Sequence, residues 1–143
     1  MEEESVGVTI DEPLLQMELN EPLKVLIVDD SISVRHSVAR LVESQSWKQL
    51  QAVDGLDALA KLENYSPDVI ILDIEMPRMN GYEFKSSLNN QPMYKDIPIV
   101  MLTSRASEKH QQKARELGIN HYLTKPYQDD AFVRLLENIR NGI

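Results

Sequence analysis

The sequence predicts an α/β protein of the (βα)5 type, in which one mostly parallel five-stranded sheet lies between two layers of helices. Three observations support this three-layer sandwich. Short apolar runs alternate along the chain with stretches whose apolar residues follow helical spacing. The runs are aliphatic at successive positions, which is typical of strands covered by helices on both faces. The length of 143 residues and the hydrophobic content of 42% fit a single core of ordinary size.

The predicted strands are the five apolar runs, taken in chain order. Each run has the length of a strand, and the helical stretch between two runs supplies a right-handed crossover to a parallel neighbour. The runs are KVLIV at 24–28, LQAV at 50–53, VIIL at 69–72, IVML at 99–102 and the less regular INHYL at 119–123.

The predicted helices follow these runs, because apolar residues recur three or four positions apart in each following stretch. The third helix, from Asn80 to Leu88, has the weakest pattern, since mainly Phe84 and Leu88 carry it. The apolar positions of the other four are Val34, Val38, Leu41 and Val42; Ala58, Leu59 and Leu62; Ala106, Ala114 and Leu117; and Phe132, Leu135, Leu136 and Ile139.

The net charge of −8 is concentrated near the amino terminus. Residues 1–22 hold seven acids and no lysine or arginine, whereas the other 121 residues carry 16 acids and 15 bases. We therefore interpret residues 1–22 as an acidic flexible linker or leader and residues 23–143 as the folded domain. A nearly neutral domain without a basic face does not predict a nucleic-acid partner.

Composition also excludes several classes of protein. The chain has no apolar run of the roughly 18 residues that a membrane helix needs, and its first residues do not resemble a signal peptide. We therefore expect a cytoplasmic protein with no membrane partner. The lack of cysteine excludes disulfides, thiolate nucleophiles and thiolate zinc sites.

Polar side chains follow four of the five predicted strands. Asp29 and Asp30 come after the first strand, Asp73 after the third, Thr103 after the fourth and Lys125 after the fifth. In open α/β sheets, ligands bind beyond the carboxyl ends of the strands. Each residue alone has an ordinary interpretation: a helix cap for the two acids, a turn for the threonine, a solvated charge for the lysine. Their shared position at one sheet edge favours a common site.

These groups together predict phosphoryl chemistry. Carboxylates a few ångströms apart repel by about 1 to 4 kcal/mol per pair, so they favour binding of a cation. Hard oxygen ligands select Mg²⁺, which commonly completes its coordination with phosphate oxygens. A carboxylate is also a competent nucleophile toward phosphorus and forms an aspartyl phosphate. An amine such as Lys125 and a hydroxyl such as Thr103 stabilise the phosphoryl oxygens.

The motifs VDDS, LDIEMPRMNG, VMLTS and YLTKPY extend from about residue 23 to the end of the chain. Through them the sequence resembles the CheY-like receiver domain of two-component response regulators. The resemblance implies a flavodoxin-like fold with strand order 2-1-3-4-5. The segments DIEMPRMNGYE, LTSRASEKH and HYLTKPYQ are also similar to the carboxyl-terminal receiver of CheA-type hybrid chemosensory histidine kinases. In such a protein the acidic leader would be part of the linker from the kinase core.

The resemblance implies a role for each acid of the predicted site. Asp73 is similar to the phosphoacceptor of receiver domains. Asp29, Asp30 and Asp73, with the backbone carbonyl of Glu75, correspond to the Mg²⁺ ligands. The acidic side chain of Glu75 departs from many receivers, which have a smaller or neutral residue there, and we expect it to affect the lifetime of the phosphoryl group.

The resemblance also implies a switch and its partners. Lys125 is similar to the lysine that pairs with phosphate and precedes a cis peptide bond, here to Pro126. Thr103 and Tyr122 resemble the pair in which the hydroxyl moves to the phosphate and the ring turns inward. We expect a histidine kinase or phosphotransfer domain as donor, and a downstream protein that binds around the fourth helix and fifth strand. Apart from slow self-dephosphorylation, we expect no enzyme activity.

Two other functions remain open from the sequence. A phosphatase of the haloacid dehalogenase type also forms an aspartyl phosphate. It normally has Asp two residues after the nucleophile and Thr or Val two residues further on, where this chain has Glu75 and Pro77. A receiver-shaped binding module that never uses phosphate is disfavoured, because none of the five key groups is missing.

Overall fold

Five strands and five helices alternate along residues 21–143, the part of the chain that the computed structural model describes. The predicted boundary of the leader at residue 22 therefore stays a prediction, since residues 1–20 lie outside the described part. In chain order the elements are β1 (Lys24–Val28), α1 (Ile32–Ser44), β2 (Lys48–Ala52), α2 (Gly55–Leu62), β3 (Val69–Leu72), α3 (Gly81–Asn89), β4 (Ile99–Thr103), α4 (Glu108–Glu116), β5 (His121–Thr124) and α5 (Asp129–Arg140).

The five strands form one sheet in the order β2-β1-β3-β4-β5, and every neighbouring pair is parallel. This confirms the predicted flavodoxin-like fold. The order reverses at β1, so the helices after β1 and β3 leave toward opposite faces and open a crevice between the two strand ends. Val28 pairs with Leu72 in the register of β1 and β3. The residues that follow, Asp29 and Asp73, therefore lie side by side.

Two apolar layers cover the sheet, one on each face. Successive residues of a strand point to opposite faces, so Leu26 packs with α2, α3 and α4, whereas its neighbour Val25 packs with α1 and α5. The largest fully buried helical side chains are Phe84 and Leu88 of α3 and Phe132 and Leu136 of α5. Burial on both faces explains the uninterrupted aliphatic runs of the central strands.

The second strand begins two residues before the predicted run. Lys48 pairs with Lys24 in the register of β1 and β2, although neither residue is apolar. An edge strand is paired on one side only, so its polar residues stay partly solvated and hydrophobic pattern alone misses its start. Trp47, just before the strand, has 8% of its surface exposed and packs in the α1/α5 layer.

The third helix is more firmly defined than its weak apolar pattern predicted. Asn80 accepts a hydrogen bond from the Glu83 backbone amide, and the Glu83 side chain accepts one from the Asn80 amide. This reciprocal capping box fixes the helix start. The buried face also contains Lys85, whose ammonium group donates to the Lys95 carbonyl at 2.9 Å. A lysine on the inner face lowers the apparent amphipathicity of the sequence.

Across residues 21–143, none of the helices combines the length and the apolar character needed to cross a membrane.

Candidate functional site

Three carboxylates meet at the carboxyl edge of the sheet. Asp29, Asp30 and Asp73 each offer an oxygen, and these oxygens all lie within 4.8 Å of one another. Asp29 is buried, Asp73 is partly buried and Asp30 is exposed. Like charges at this spacing repel each other, and the repulsion is strongest where water is excluded. The structure thus brings together the acids that the sequence placed at the ends of two separate strands.

Lys125 reaches this acid cluster from the far side of the sheet. Its Nζ atom lies 3.0 Å from an Asp29 oxygen and 3.9 Å from an Asp73 oxygen. The Lys125 amide donates to the Thr103 carbonyl at 2.8 Å, which extends the pairing of β4 and β5 beyond their ends. The bond from Lys125 to Pro126 is cis, as the sequence motif implied. One lysine therefore balances two of the three acids.

Local hydrogen bonds fix the orientation of Asp29. One carboxylate oxygen accepts the Ser31 amide at 2.9 Å, while the other faces Lys125. The cap of α1 is Ser31, whose hydroxyl accepts the Val34 amide at 3.3 Å. Arg35 donates to the backbone carbonyl of Asp29 at 2.7 Å. The helix cap and the acid cluster thus coexist, because different residues serve them.

The surroundings of Asp73 raise the pKa of its carboxyl group. Burial raises its pKa, and the neighbouring charge of Asp29 raises it further. Lys125, the Ile74 amide and the Thr103 hydroxyl lower the pKa, but the net direction is upward from the ordinary value of 3.8. The Ile74 amide holds one Asp73 oxygen at 2.8 Å. The other oxygen is the one 3.9 Å from the Lys125 ammonium.

Thr103, Tyr122 and Glu75 are connected through Arg105, which the sequence analysis did not single out. The Arg105 amide donates to the Thr103 hydroxyl at 3.2 Å, and the Tyr122 hydroxyl donates to the Arg105 carbonyl at 2.6 Å. The Arg105 guanidinium pairs with the Glu75 carboxylate across the mouth of the site. One exposed arginine in the loop after β4 thus touches three of the predicted residues.

Burial raises the pKa of Tyr122 to about 12, with smaller contributions from Tyr82 and Asp73. The phenol therefore stays protonated at neutral pH and remains a hydrogen-bond donor. Its partner in the structure is a backbone carbonyl of the loop after β4. The ring of Tyr122 and that loop are therefore positioned as one unit.

An open cleft of about 690 Å³ lies beside the acid cluster. Its wall includes Asp30, Glu75, Tyr82 and Lys113. The Lys113 ammonium lies 4.7 Å from the centre of the Tyr82 ring, within the range of a cation–π contact. The cleft leaves the exposed edge of the acid cluster open to solvent.

Comparison with known proteins identifies the family of the chain. Residues 25–137 match the response regulator receiver domain family. The chain is 35% identical to Protein PilG of Pseudomonas aeruginosa over 111 residues, which are 78% of this chain and 82% of that protein. It is 35% identical to the sensor histidine kinase CheAY of Helicobacter pylori over 74% of this chain, but that match spans 13% of the kinase.

A solved structure agrees with the fold as well. The chemotaxis protein CheY4 of Vibrio cholerae superposes with a TM-score of 0.78 at 37% identity. The match covers 83% of this chain and 99% of that chain. The narrower resemblance to CheA-type kinases is thus matched by one named relative, CheAY, while the match to CheY4 covers almost all of that chain.

The raised pKa of Asp73 predicts that the Asp73→Asn variant is more stable than the parent in metal-free solution at neutral pH. An acid whose pKa is raised by folding favours the folded state while it is protonated, below its ordinary value of 3.8. That contribution to stability is lost as the pH rises through the higher pKa that Asp73 has in the folded state. Asparagine has the same shape and does not ionise, so it keeps the contribution.

Thermal unfolding in EDTA, from acidic to neutral pH, measures this effect. The melting temperature of Asp73→Asn should exceed that of the parent by an amount that grows with pH. Glu63→Gln, at an exposed acid, measures the effect of removing one surface charge. A gain equal to that of Glu63→Gln at every pH would contradict the electrostatic description of the cluster.

Proposed function

The chain belongs to the response regulator receiver domain family, and we propose that Asp73 is its phosphoacceptor. In this function a histidine kinase or a phosphotransfer domain donates the phosphoryl group, and the modified domain changes a protein-binding surface. The observation that carries the proposal is the meeting of Asp29, Asp30, Asp73 and Lys125 at one sheet edge. The three acids can bind a cation, and the amine can pair with a negatively charged phosphoryl oxygen.

The hydrogen bonds of Asp29 and Asp73 support the choice of Asp73 as nucleophile. Both oxygens of Asp29 are engaged, one by the Ser31 amide and one by Lys125. In Asp73 the Ile74 amide holds one oxygen and leaves the other 3.9 Å from the lysine. That second oxygen forms the new P–O bond as the P–N bond to the donor histidine breaks. The leaving imidazole takes a proton from solvent.

The acid cluster also supports Mg²⁺ as the cofactor. Asp29, Asp30 and Asp73 supply hard anionic oxygens at a spacing suited to one small cation, and the Glu75 carbonyl is the proposed fourth protein ligand. When bound, Mg²⁺ neutralises the acids and the developing charge on the phosphoryl oxygens. Lys125 pairs with a further phosphoryl oxygen, since its ammonium group already faces Asp73.

The contacts of Arg105 support Thr103 and Tyr122 as the switch. Thr103 is only 1% exposed, and its hydroxyl accepts the Arg105 amide and donates to the Asp73 carboxylate. Its proton is therefore already directed at the proposed phosphoacceptor and can pass to a phosphoryl oxygen there. A shift of Thr103 toward the phosphoryl group displaces Arg105, and with it the Tyr122 hydroxyl bond. The proposed output is therefore a change at α4 and β5, where the downstream protein binds. Coupling of this kind is typically about 1 to 3 kcal/mol.

The phosphatase alternative is not supported by the geometry. Its general acid would have to be the carboxylate of Glu75, which is instead ion-paired with Arg105 outside the acid cluster. We propose that the domain is not an enzyme beyond slow hydrolysis of its own phosphoryl group. The third alternative, a module that never uses phosphate, leaves the assembly of three acids and a lysine without a role.

The proposed phosphoacceptor predicts a simple result with acetyl phosphate and Mg²⁺. The parent protein should gain the mass of one phosphoryl group, and Asp73→Asn should gain none, because the amide is not a nucleophile toward phosphorus. Intact-protein mass spectrometry measures the change. Asp96→Asn is the matched control and should be modified like the parent. A phosphoryl group that persists on Asp73→Asn would refute the assignment.

The proposed switch predicts where the structure changes. Beryllofluoride, which stands in for the phosphoryl group, should alter amide hydrogen exchange mainly between residues 103 and 127. In Lys125→Ala the ligand loses its ammonium partner, so the difference across this segment should become much smaller. Exchange in 103–127 that is the same with and without beryllofluoride in the parent would contradict the switch.

A further inference from the structure

Asp54 is a buried acid outside the acid cluster, and it contacts the loop that carries Glu75. Only 2% of its surface is exposed. One carboxylate oxygen accepts the Asp57 amide at 2.9 Å and caps α2. The other accepts a hydrogen bond from the Arg78 Nε atom at 2.6 Å. Capping requires only the first of these contacts, so the second needs its own explanation.

Arg78 lies in the middle of the loop between Asp73 and α3. Its backbone has a φ of 64°, in the left-handed region that a residue with a side chain rarely adopts. Next to it, the Met79 carbonyl accepts the Gly55 amide at 3.2 Å. The apex of the loop is therefore attached to the first turn of α2 by one ion pair and one backbone hydrogen bond.

The two ends of the same loop are also fixed. The Gly81 amide donates to the Ile74 carbonyl at 2.8 Å. A side chain on Gly81 would place its Cβ atom 2.3 Å from the Asp73 carbonyl oxygen, so the chain closes tightly beside the phosphoacceptor. Glu75 lies between the closed base and the attached apex. A displacement of the apex must therefore move the backbone around Glu75.

We propose that Asp54 and Arg78 form a positioning pair for the Mg²⁺ site, holding the loop so that the Glu75 carbonyl faces the ion. This inference rests on the proposed function, since it concerns the metal that the acid cluster binds. The pair acts through the backbone and does not touch the ion. In many metal sites, hydrogen bonds from residues that do not touch the metal orient the side chains that do. The Asp54–Arg78 pair plays the same role for a backbone carbonyl.

The charge state of the pair is consistent with this role. Burial raises the pKa of Asp54, but the Arg78 hydrogen bond and charge, with two backbone hydrogen bonds, lower it by more. The net direction is downward, so the carboxylate is ionised at neutral pH. A buried carboxylate whose cation is removed is costly, because its charge is left without compensation. Displacement of Arg78 would therefore destabilise the folded loop.

The test measures Mg²⁺ binding by calorimetry on the full chain, separately from thermal stability. Arg78→Gln removes the cation and leaves the α2 cap intact, and Asp54→Asn keeps the capping oxygen and removes the charge. Arg115→Gln is the matched control. It breaks the Arg115–Glu108 pair on α4, which also has a contact distance of 2.6 Å and an arginine of similar exposure.

The expected result is a loss of Mg²⁺ affinity of about tenfold in Arg78→Gln and Asp54→Asn, the low end of the range for outer metal-site partners. The double variant should lose no more than either single variant, because both changes remove one interaction. Arg78→Lys should fall between the parent and Arg78→Gln. Arg115→Gln should bind Mg²⁺ like the parent.

Two outcomes would overturn the inference in distinguishable ways. If the parent binds Mg²⁺ and Arg78→Gln binds it equally well while melting at a lower temperature, the pair has only a structural role. If the parent itself binds no Mg²⁺, the proposed metal site is wrong and the positioning role is lost with it.

Discussion

The proposed site depends on one electrostatic constraint: parallel strands bring carboxylates that repel each other to one edge of the sheet. The register that pairs Val28 with Leu72 places Asp29 beside Asp73, and Asp30 joins them within 4.8 Å. Two unit charges about 4 Å apart repel by about 1 kcal/mol in water and by about 4 kcal/mol near a protein surface. Lys125 offsets part of this cost. The remaining repulsion favours a small cation at this edge, and in the proposed function that cation offsets the negative charge of the phosphoryl group.

The groups around the acids differ in how firmly they are held, and this difference suits a switch. Asp29 and Asp73 are fixed by backbone amides and directly follow the buried residues at the ends of β1 and β3. The Glu75–Arg105 pair is exposed on both sides, and exposed ion pairs contribute about 0 to 1 kcal/mol. In the proposed switch, a rigid base and a weakly held loop let charge at Asp73 move Arg105 without disturbing the sheet.

Hydrophobic pattern predicted the central sheet well, because β1, β3 and β4 are buried on both faces and consist mainly of apolar residues. It failed at the edge strand β2, where polar residues tolerate solvent. The acids and Lys125 were predictable because they directly follow strands, whose ends share one edge. The arginine contacts were not predictable, because Arg78 and Asp54 are 24 residues apart in the sequence and come into contact only in the folded chain. No local signal in the sequence marks such a pair.

The most direct test of this account is the melting temperature of the parent with Mg²⁺ against NaCl of equal ionic strength. With an assumed millimolar dissociation constant and about tenfold excess metal, binding stabilises the domain by about 1.4 kcal/mol. A domain of this size should then melt about 3 to 6 °C higher. Asp30→Ala should lose most of that gain, and without metal it should match or exceed the parent in stability. Equal stabilisation by both salts would contradict the account.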